Sequence, residues 1–359
     1  FRIQSPMESI SNFSLSTLPT PDLEEPEEQC GNSHIISVDA IETFRMEMDR
    51  IFLVSTLFSS VLQVYVMSTA LKHIKKKTSD KCMHVFLLSM TFADFLLTAI
   101  CYPLELAPRA DLISSVPRFL NQINHIVCWV ALIISSVSLV FLNLDKLFYF
   151  RFPLRYATIF TRSRAIIIVL CSWTLSILFV IFAWVTNSFD CVDEDCKILA
   201  IFPNRLHIYV PFMICVGVIP TVTSLVVAIF IMKIVSQHRK QLAEERSLFQ
   251  SGTPGRTNSI FAIRMRTFYF IFMTTLFTAI TLLPYRLVGL QRSLNPGRTP
   301  DCLTVFFLWV MMYMVSLNSI INPLLTVTIL PQYRMTVVKY FIRRKSEETA
   351  YTTANTVDL

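Results

Sequence analysis

The sequence predicts an all-α membrane protein: a bundle of seven transmembrane helices, followed by a short amphipathic helix on the cytosolic side. Two observations predict this fold class. Seven apolar runs are each long enough to cross a bilayer, for which a helix needs about 20 residues, and basic residues are concentrated in every second connection. The composition agrees, because 53% of the residues are hydrophobic and no internal repeat of solenoid period is visible.

The seven predicted spans follow one another with polar connections between them. Spans 1 to 7 are Ile51–Leu71, Met83–Leu104, Phe119–Leu144, Ala165–Thr186, Leu206–Met232, Thr267–Tyr285 and Cys302–Ile329. Within these runs the only charged side chain is Asp94, in span 2. Together the runs predict one transmembrane domain over residues 47–330.

The charge of the connections predicts the orientation. Basic residues follow spans 1, 3, 5 and 7, and these four segments hold most of the 32 lysines and arginines. By the positive-inside rule these segments are cytosolic, so the amino terminus is extracellular and the carboxyl terminus is cytosolic. A multi-pass protein of the plasma membrane is therefore expected. The net charge of +7 reflects topology and contact with membrane lipid, and nucleic acid is not an expected partner.

Both ends of the chain differ in composition from the spans. Residues 1–46 are acidic and rich in Ser, Thr and Pro, which predicts a disordered extracellular tail. Asn12, in Asn12-Phe-Ser14, is a glycosylation sequon on that side. Over residues 331–345 apolar side chains alternate with arginine and lysine, which predicts an amphipathic helix on the membrane surface. Residues 346–359 are predicted to form a cytosolic tail.

Asp94 lies in the middle of span 2, where burial of an ionisable group is costly unless polar partners or an ion are present. A hydrogen-bonded packing group is the plainer interpretation. The candidate partners are Ser135, Asn318, Ser319 and Asn322. Asn318 and Asn322 are four residues apart and share one helix face. Pro323 frees a backbone carbonyl beside them and weakens the helix there, as expected where a helix must bend.

Several short motifs occur in order on successive spans. They are Leu88-Ser-Met-Thr-Phe-Ala-Asp94, Asp145-Lys146 with the following Pro153-Leu-Arg-Tyr156, Trp173, Pro220, Pro284 and Asn322-Pro323. In this order the chain from Ile51 to Lys345 resembles the rhodopsin-like (class A) G-protein-coupled receptors. The resemblance implies a receptor that binds an extracellular ligand and activates a heterotrimeric G protein. Arrestin and receptor kinases would then be expected partners of the cytosolic tail.

The resemblance also implies roles for individual residues. In that family, residues matching Asp94, Ser135, Asn318 and Ser319 form a sodium pocket that couples ligand binding to activation, so a sodium ion is an expected modulator and no other cofactor is expected. The implied activation switch comprises Asp145, Lys146, Pro284, Asn322, Pro323 and Thr326.

The chain also departs from the family pattern. Lys146 stands where the family has arginine, which loses the planar guanidinium fork. Thr326 replaces the closing tyrosine of the seventh-helix motif, Leu282 replaces the sixth-helix tryptophan, and the first-helix asparagine has no evident match. These departures keep open a non-signalling scavenger or scaffold on the same fold. A transporter or channel is less favoured, because there is one deep carboxylate and no inverted repeat. No enzyme motif is recognised.

Four cysteines are predicted to lie on the oxidising, outer side, namely Cys30, Cys191, Cys196 and Cys302. The resemblance places Asn121 where the family has its disulfide cysteine at the top of span 3. Four cysteines allow three pairings. We favour Cys191 with Cys196 as a small ring, and Cys30 with Cys302 as a tie between the tail and the last outer loop.

The outer halves of spans 2, 3, 5, 6 and 7 are expected to surround a ligand cavity. The candidate ligand-binding residues are Tyr102, Glu105, His125, Cys128, Trp129, Tyr209, Met213, Tyr285, Arg286, Trp309, Met312 and Ser316. Glu105 and Arg286 either pair or reach water, or bind the two charges of a peptide or zwitterion. Relatives that bind amines have aspartate at the position of Cys128, and opsins have lysine at the position of Ser316. A peptide or small polar ligand is therefore favoured over an amine or retinal.

Overall fold

The computed structural model describes residues 38–75, 81–113, 116–191, 195–197, 199–201, 206–248, 256–294 and 302–335. Seven helices within these ranges are long and apolar enough to cross a membrane, which confirms the predicted fold class. The helices are α1 (Val38–Lys75), α2 (Lys81–Leu96), α3 (Tyr102–Arg109), α4 (Arg118–Arg151), α5 (Pro153–Ile159), α6 (Arg162–Val185), α7 (Leu206–Met213), α8 (Ile219–Leu248), α9 (Arg256–Leu294) and α10 (Cys302–Ile329). Span 2 is formed by α2 and α3, span 5 by α7 and α8, and spans 1, 3, 4, 6 and 7 by α1, α4, α6, α9 and α10.

Spans 2 and 5 each contain one π-helical turn, at Leu97–Cys101 and Ile214–Val218. In both spans a proline, Pro103 or Pro220, stands two residues after the turn. Proline has no N–H to donate, and the residue before it bonds back five positions instead of four. Each turn therefore adds a residue and rotates the helix beyond it by about 100° relative to a regular α-helix.

Span 1 begins earlier than predicted. Residues 38–46, predicted to belong to the disordered tail, are the first turns of α1. The reason is packing: Ile41 is buried, and the Phe44 ring lies 5.0 Å from the ring of Phe306 in span 7. Residues 1–37, with Asn12 and Cys30, lie outside the described residues.

The carboxyl end also differs from its prediction. Pro331–Tyr333 form a turn, so the predicted helix does not begin at residue 331. Tyr333 is fully buried, and its hydroxyl lies 2.7 Å from His84 Nδ1 of span 2. Residues 336–359 lie outside the described residues.

Two large apolar clusters, one in each half of the bundle, make up most of the described core, and a third, small cluster of Ile231, Val235 and Phe268 joins spans 5 and 6. One large cluster is centred on spans 2, 3 and 7, with Ala131, Ile134 and Trp309 among its members. The other includes Phe86 and Phe270. Buried polar side chains lie between the clusters, and they form the candidate site.

Candidate functional site

The Asp94 carboxylate is buried inside span 2. Its Oδ1 accepts a hydrogen bond from Ser135 Oγ of span 3 at 2.8 Å, and its Oδ2 accepts one from Asn322 Nδ2 of span 7 at 2.7 Å. Ser319 lies beside the same carboxylate. All four residues are buried. Spans 2, 3 and 7 therefore meet at one acidic group, and three of its four predicted partners surround it.

The fourth predicted partner, Asn318, is turned toward span 6. Its Oδ1 accepts a hydrogen bond from Thr278 Oγ1 at 2.9 Å. Closer to the carboxyl end of span 3, Asn143 Nδ2 donates to Thr275 Oγ1 of span 6 at 2.9 Å. These four side chains are buried. Span 6 is thus tied to spans 3 and 7 by two hydrogen bonds that the sequence alone did not reveal.

Span 1 contributes Gln63, which sequence reasoning also missed. Pro323 cannot donate to the carbonyl of Ser319, four residues earlier, and this carbonyl accepts a hydrogen bond from Gln63 Nε2 at 3.1 Å. Gln63 Oε1 accepts one from Thr98 Oγ1 of span 2 at 2.7 Å. The freed carbonyl predicted beside Pro323 thus has its partner on span 1. The signal in the sequence was the amide of Gln63 within a predominantly apolar run, which indicates a polar partner on another span.

The residues around Asp94 fit a small cation. Asn322 Oδ1 is buried and accepts no hydrogen bond from any described residue, although the nitrogen of the same amide binds Asp94. Hard cations prefer carboxylate, hydroxyl and amide oxygens. One carboxylate among neutral oxygens has the charge that suits a monovalent ion.

Asp145 and Lys146, near the carboxyl end of span 3, are both buried. Lys146 Nζ lies 3.0 Å from Asp145 Oδ2, and Asp145 Oδ1 accepts a hydrogen bond from Tyr156 OH at 2.7 Å. Lys146 Nζ also lies 5.6 Å from the centre of the Tyr149 ring. The pair therefore anchors the short helix α5 to span 3.

The other predicted switch residues lie on spans 6 and 7. Thr326 Oγ1 donates to the carbonyl of Asn322 in its own helix at 2.8 Å. Leu282 is buried in span 6, and Pro284 lies inside the same continuous helix.

A two-stranded antiparallel hairpin, β1 (Phe189–Cys191) and β2 (Leu199–Ile201), lies between spans 4 and 5. Cys191 and Cys196 form the predicted disulfide ring within it. Asn121 Nδ2 donates to the carbonyl of Asp195 at 2.8 Å, and His125 Nε2 lies 2.9 Å from the carbonyl of Cys196. At the position where the family has a disulfide to this loop, the chain therefore uses hydrogen bonds. Pairing of Cys302 with Cys30 stays a prediction.

Pairing of Glu105 with Arg286 was one of the alternatives that the sequence left open, and the structure does not show it. Glu105 Oε1 lies 3.4 Å from Arg109 Nη1 in the same helix, whereas Arg286 Nη1 lies 3.9 Å from Met213 Sδ of span 5. The π-helical turn before Pro103 explains the difference, because it rotates Glu105 away from the face that carries Asp94.

The remaining candidate ligand residues differ in their burial and contacts. Tyr102 and Trp309 are buried, and Tyr285, Met312 and Ser316 are half-buried, whereas the side chain of Tyr209 lies outside the described residues. Cys128 Sγ donates to Asn124 Oδ1 at 3.8 Å, and the Trp129 ring lies 5.5 Å from the Phe189 ring. Trp309 contacts an arginine of span 1 and an arginine of span 2.

An apolar groove of about 590 Å³ lies between spans 3, 4 and 5. It is lined by Ile133, Leu175, Ser176, Phe179, His207, Ile208, Pro211, Phe212 and Cys215. Leu175 and Ile208 are exposed on the outer surface of the bundle, which places the groove toward lipid. None of the predicted ligand residues whose side chains the structure describes lines it.

Comparison with known proteins decides the family. Residues 63–325 match the family model described as 7 transmembrane receptor (rhodopsin family). The chain belongs to the rhodopsin family of seven-transmembrane receptors. The receptor is also similar to "G-protein coupled receptor aex-2" of Caenorhabditis elegans, with 27% identity over 290 residues that cover 79% of this chain and 80% of the relative. It is thus a multi-pass membrane protein of a receptor family, and not of an enzyme family.

Proposed function

We propose that the receptor binds an extracellular ligand and activates a heterotrimeric G protein on the cytosolic side. The observation that carries the proposal is the buried polar network between the two apolar clusters. It joins Asp94 to spans 3 and 7, and Asn318 to Thr278 of span 6. A shift between two packings of the bundle would exchange these hydrogen bonds, so a ligand at one end can bias the other.

The ligand we propose is a peptide or a small zwitterion. Arg286 and Met213 lie together at spans 5 and 6, where the guanidinium suits an acidic or carbonyl group. Glu105 is about half exposed and suits a basic group. Cys128 and Ser316, in place of aspartate and lysine, argue against an amine and against retinal.

We further propose a sodium ion as modulator of this receptor. Asp94, Ser135, Ser319 and Asn322 would hold it, with Asn318 adjacent. When bound, the ion would supply positive charge that offsets the desolvation of the Asp94 carboxylate.

The proposed output surface is the cytosolic face. The amino terminus is then extracellular, in agreement with the basic connections. Residues 346–359 would be phosphorylated by receptor kinases and then bind arrestin. The nematode relative is named as a G-protein coupled receptor, which supports coupling of this receptor to a G protein.

The test is nucleotide exchange on a panel of purified heterotrimeric G proteins by the receptor in lipid nanodiscs, with pooled peptides and small polar metabolites. Ser135→Ala is expected to change the ligand-dependent rate, because Ser135 binds Asp94. The matched control is Ser136→Ala, since Ser136 Oγ donates only to the carbonyl of Leu132 in its own helix among the described residues. Absence of exchange with every G protein, by folded receptor, would refute the proposal.

One observation favours a second candidate, a non-signalling scavenger or scaffold. Lys146 is buried and already paired with Asp145. If that pairing silences the receptor, Lys146→Arg is expected to gain exchange. If neither the wild-type receptor nor the Lys146→Arg variant stimulates nucleotide exchange, the non-signalling scavenger or scaffold is favoured.

A further inference from the structure

Three spans meet at a second buried carboxylate, in the outer end of the bundle. Asp49 of span 1 is fully buried, and its Oδ1 accepts a hydrogen bond from Tyr313 OH of span 7 at 2.6 Å. Arg109 Nη2, at the end of span 2, lies 3.2 Å from the same oxygen. One carboxylate oxygen therefore joins spans 1, 2 and 7.

Trp309 of span 7 lies next to this junction, one helical turn before Tyr313. The guanidinium carbon of Arg109 lies 5.4 Å from the centre of the Trp309 ring, and that of Arg45 lies 5.6 Å from it. Both distances are within the range of a cation–π interaction. The arginine that binds Asp49 thus also fixes the orientation of a predicted ligand residue.

Burying the charged groups of this junction costs desolvation free energy. Asp49 Oδ2 and Arg109 Nε are buried and have no hydrogen-bond partner among the described residues. Well-packed apolar side chains would often be as stable as an incompletely satisfied buried ion pair. Stability alone is therefore a poor explanation of this pair, whereas a role in specifying one packing explains it.

We propose that Asp49, Arg109 and Tyr313 form an outer latch that holds spans 1, 2 and 7 in one relative position and orients Trp309. They are positioning residues. The latch stabilises the packing in which span 6 is bonded to spans 3 and 7, so its opening favours the other packing. The consequence for signalling rests on the proposed function; the consequence for Trp309 does not.

The experiment measures acrylamide quenching of the Trp309 emission in nanodiscs, by difference from the matching Trp309→Phe protein. Asp49→Asn and Tyr313→Phe are each expected to raise the quenching constant about twofold or more, because Trp309 is released to the second packing. Glu47→Gln is the matched control, since it breaks an exposed ion pair with Arg50 at 3.0 Å on the same helix. This control is expected to leave quenching unchanged.

The double variant Asp49→Leu with Arg109→Met separates positioning from stability. Removing both charges is expected to restore most of the melting temperature that Asp49→Asn loses, because no lone charge stays buried. The quenching constant of Trp309 and basal nucleotide exchange are expected to stay above their wild-type values. If the role of the pair were merely structural, the double variant would return the melting temperature, the quenching constant and basal exchange to wild type.

Unchanged quenching in Asp49→Asn and Tyr313→Phe overturns the latch. If Asp49→Asn fails to fold, Tyr313→Phe still decides, since it removes only a hydroxyl. Raised quenching without nucleotide exchange in any protein, wild type included, leaves the latch standing and overturns the proposed function instead.

Discussion

Replacement of Thr275 by valine tests whether one hydrogen bond holds spans 3 and 6 together. Valine has nearly the shape of threonine but cannot accept the bond from Asn143 Nδ2. Asn143 Nδ2 would keep its bond to the carbonyl of Leu139 in its own helix, at 3.0 Å. Its second N–H would have no acceptor in the observed packing.

The magnitude follows from burial. Asn143 is fully buried and Thr275 is 1% exposed, so water does not replace the lost acceptor. Leaving a buried donor unsatisfied costs about 1–3 kcal/mol. If only the observed packing contains the bond, the equilibrium shifts toward the alternative packing by about 5- to 150-fold.

The assay is basal nucleotide exchange in nanodiscs, combined with the distance between spin labels at the cytosolic ends of spans 3 and 6. Thr275→Val is expected to raise basal exchange and to add a longer distance. Thr274→Val is the matched control, because Thr274 is equally buried but its hydroxyl donates to the carbonyl of Phe270 in its own helix, at 2.8 Å.

Two results would refute the reasoning. One is a distance distribution for folded Thr275→Val that matches wild type. The other is an equal effect of Thr274→Val, which would assign the change to loss of a hydroxyl in span 6 rather than to the bond between spans.

Three further predictions concern other parts of the receptor. Sodium chloride, compared with choline chloride, is expected to raise the melting temperature of the receptor. At a sodium concentration ten times its dissociation constant, the free energy of unfolding rises by about 1.4 kcal/mol. Ser135→Ala should lose this effect and Ser136→Ala should keep it. Replacing Cys191 and Cys196 by serine is expected to remove about 2 kcal/mol from the hairpin, seen as faster amide exchange at β1 and β2 and contradicted by unchanged exchange. Burial raises the pKa of the Tyr333 phenol, so its contribution to stability is complete below about pH 10 and lost at higher pH; a Tyr333→Phe protein of the same alkaline sensitivity would contradict this.

Much of the fold followed from local properties of the chain. A run of about 20 apolar residues must form a helix in lipid, because its backbone groups find no water there. The predicted bounds of span 7 match the helix, and span 4 differs from its helix by three residues at the start and one at the end. The start of span 1 was predicted too late, since Ile41 and Phe44 become helical through packing on neighbouring spans rather than through hydropathy.

The candidate site was partly predictable for a related reason. A carboxylate within span 2 needs polar partners, and few polar side chains were available at its depth. The partner of Asn318 was not predictable, because hydroxyls such as Thr278 are common in membrane helices and become informative only when a second helix faces them.

The sequence by itself determined the number and order of the spans and the need for partners around Asp94, because these depend on hydropathy and on the cost of burying charge. It left three pairings open for the four outer cysteines. The tertiary structure alone decided which helix faces meet. A single π-helical turn before Pro103 rotates Glu105 away from the helix face that carries Asp94, and no periodicity of 3.6 residues anticipates it. Contacts such as Asp49 with Tyr313, which are 264 residues apart, exist only after the bundle has formed.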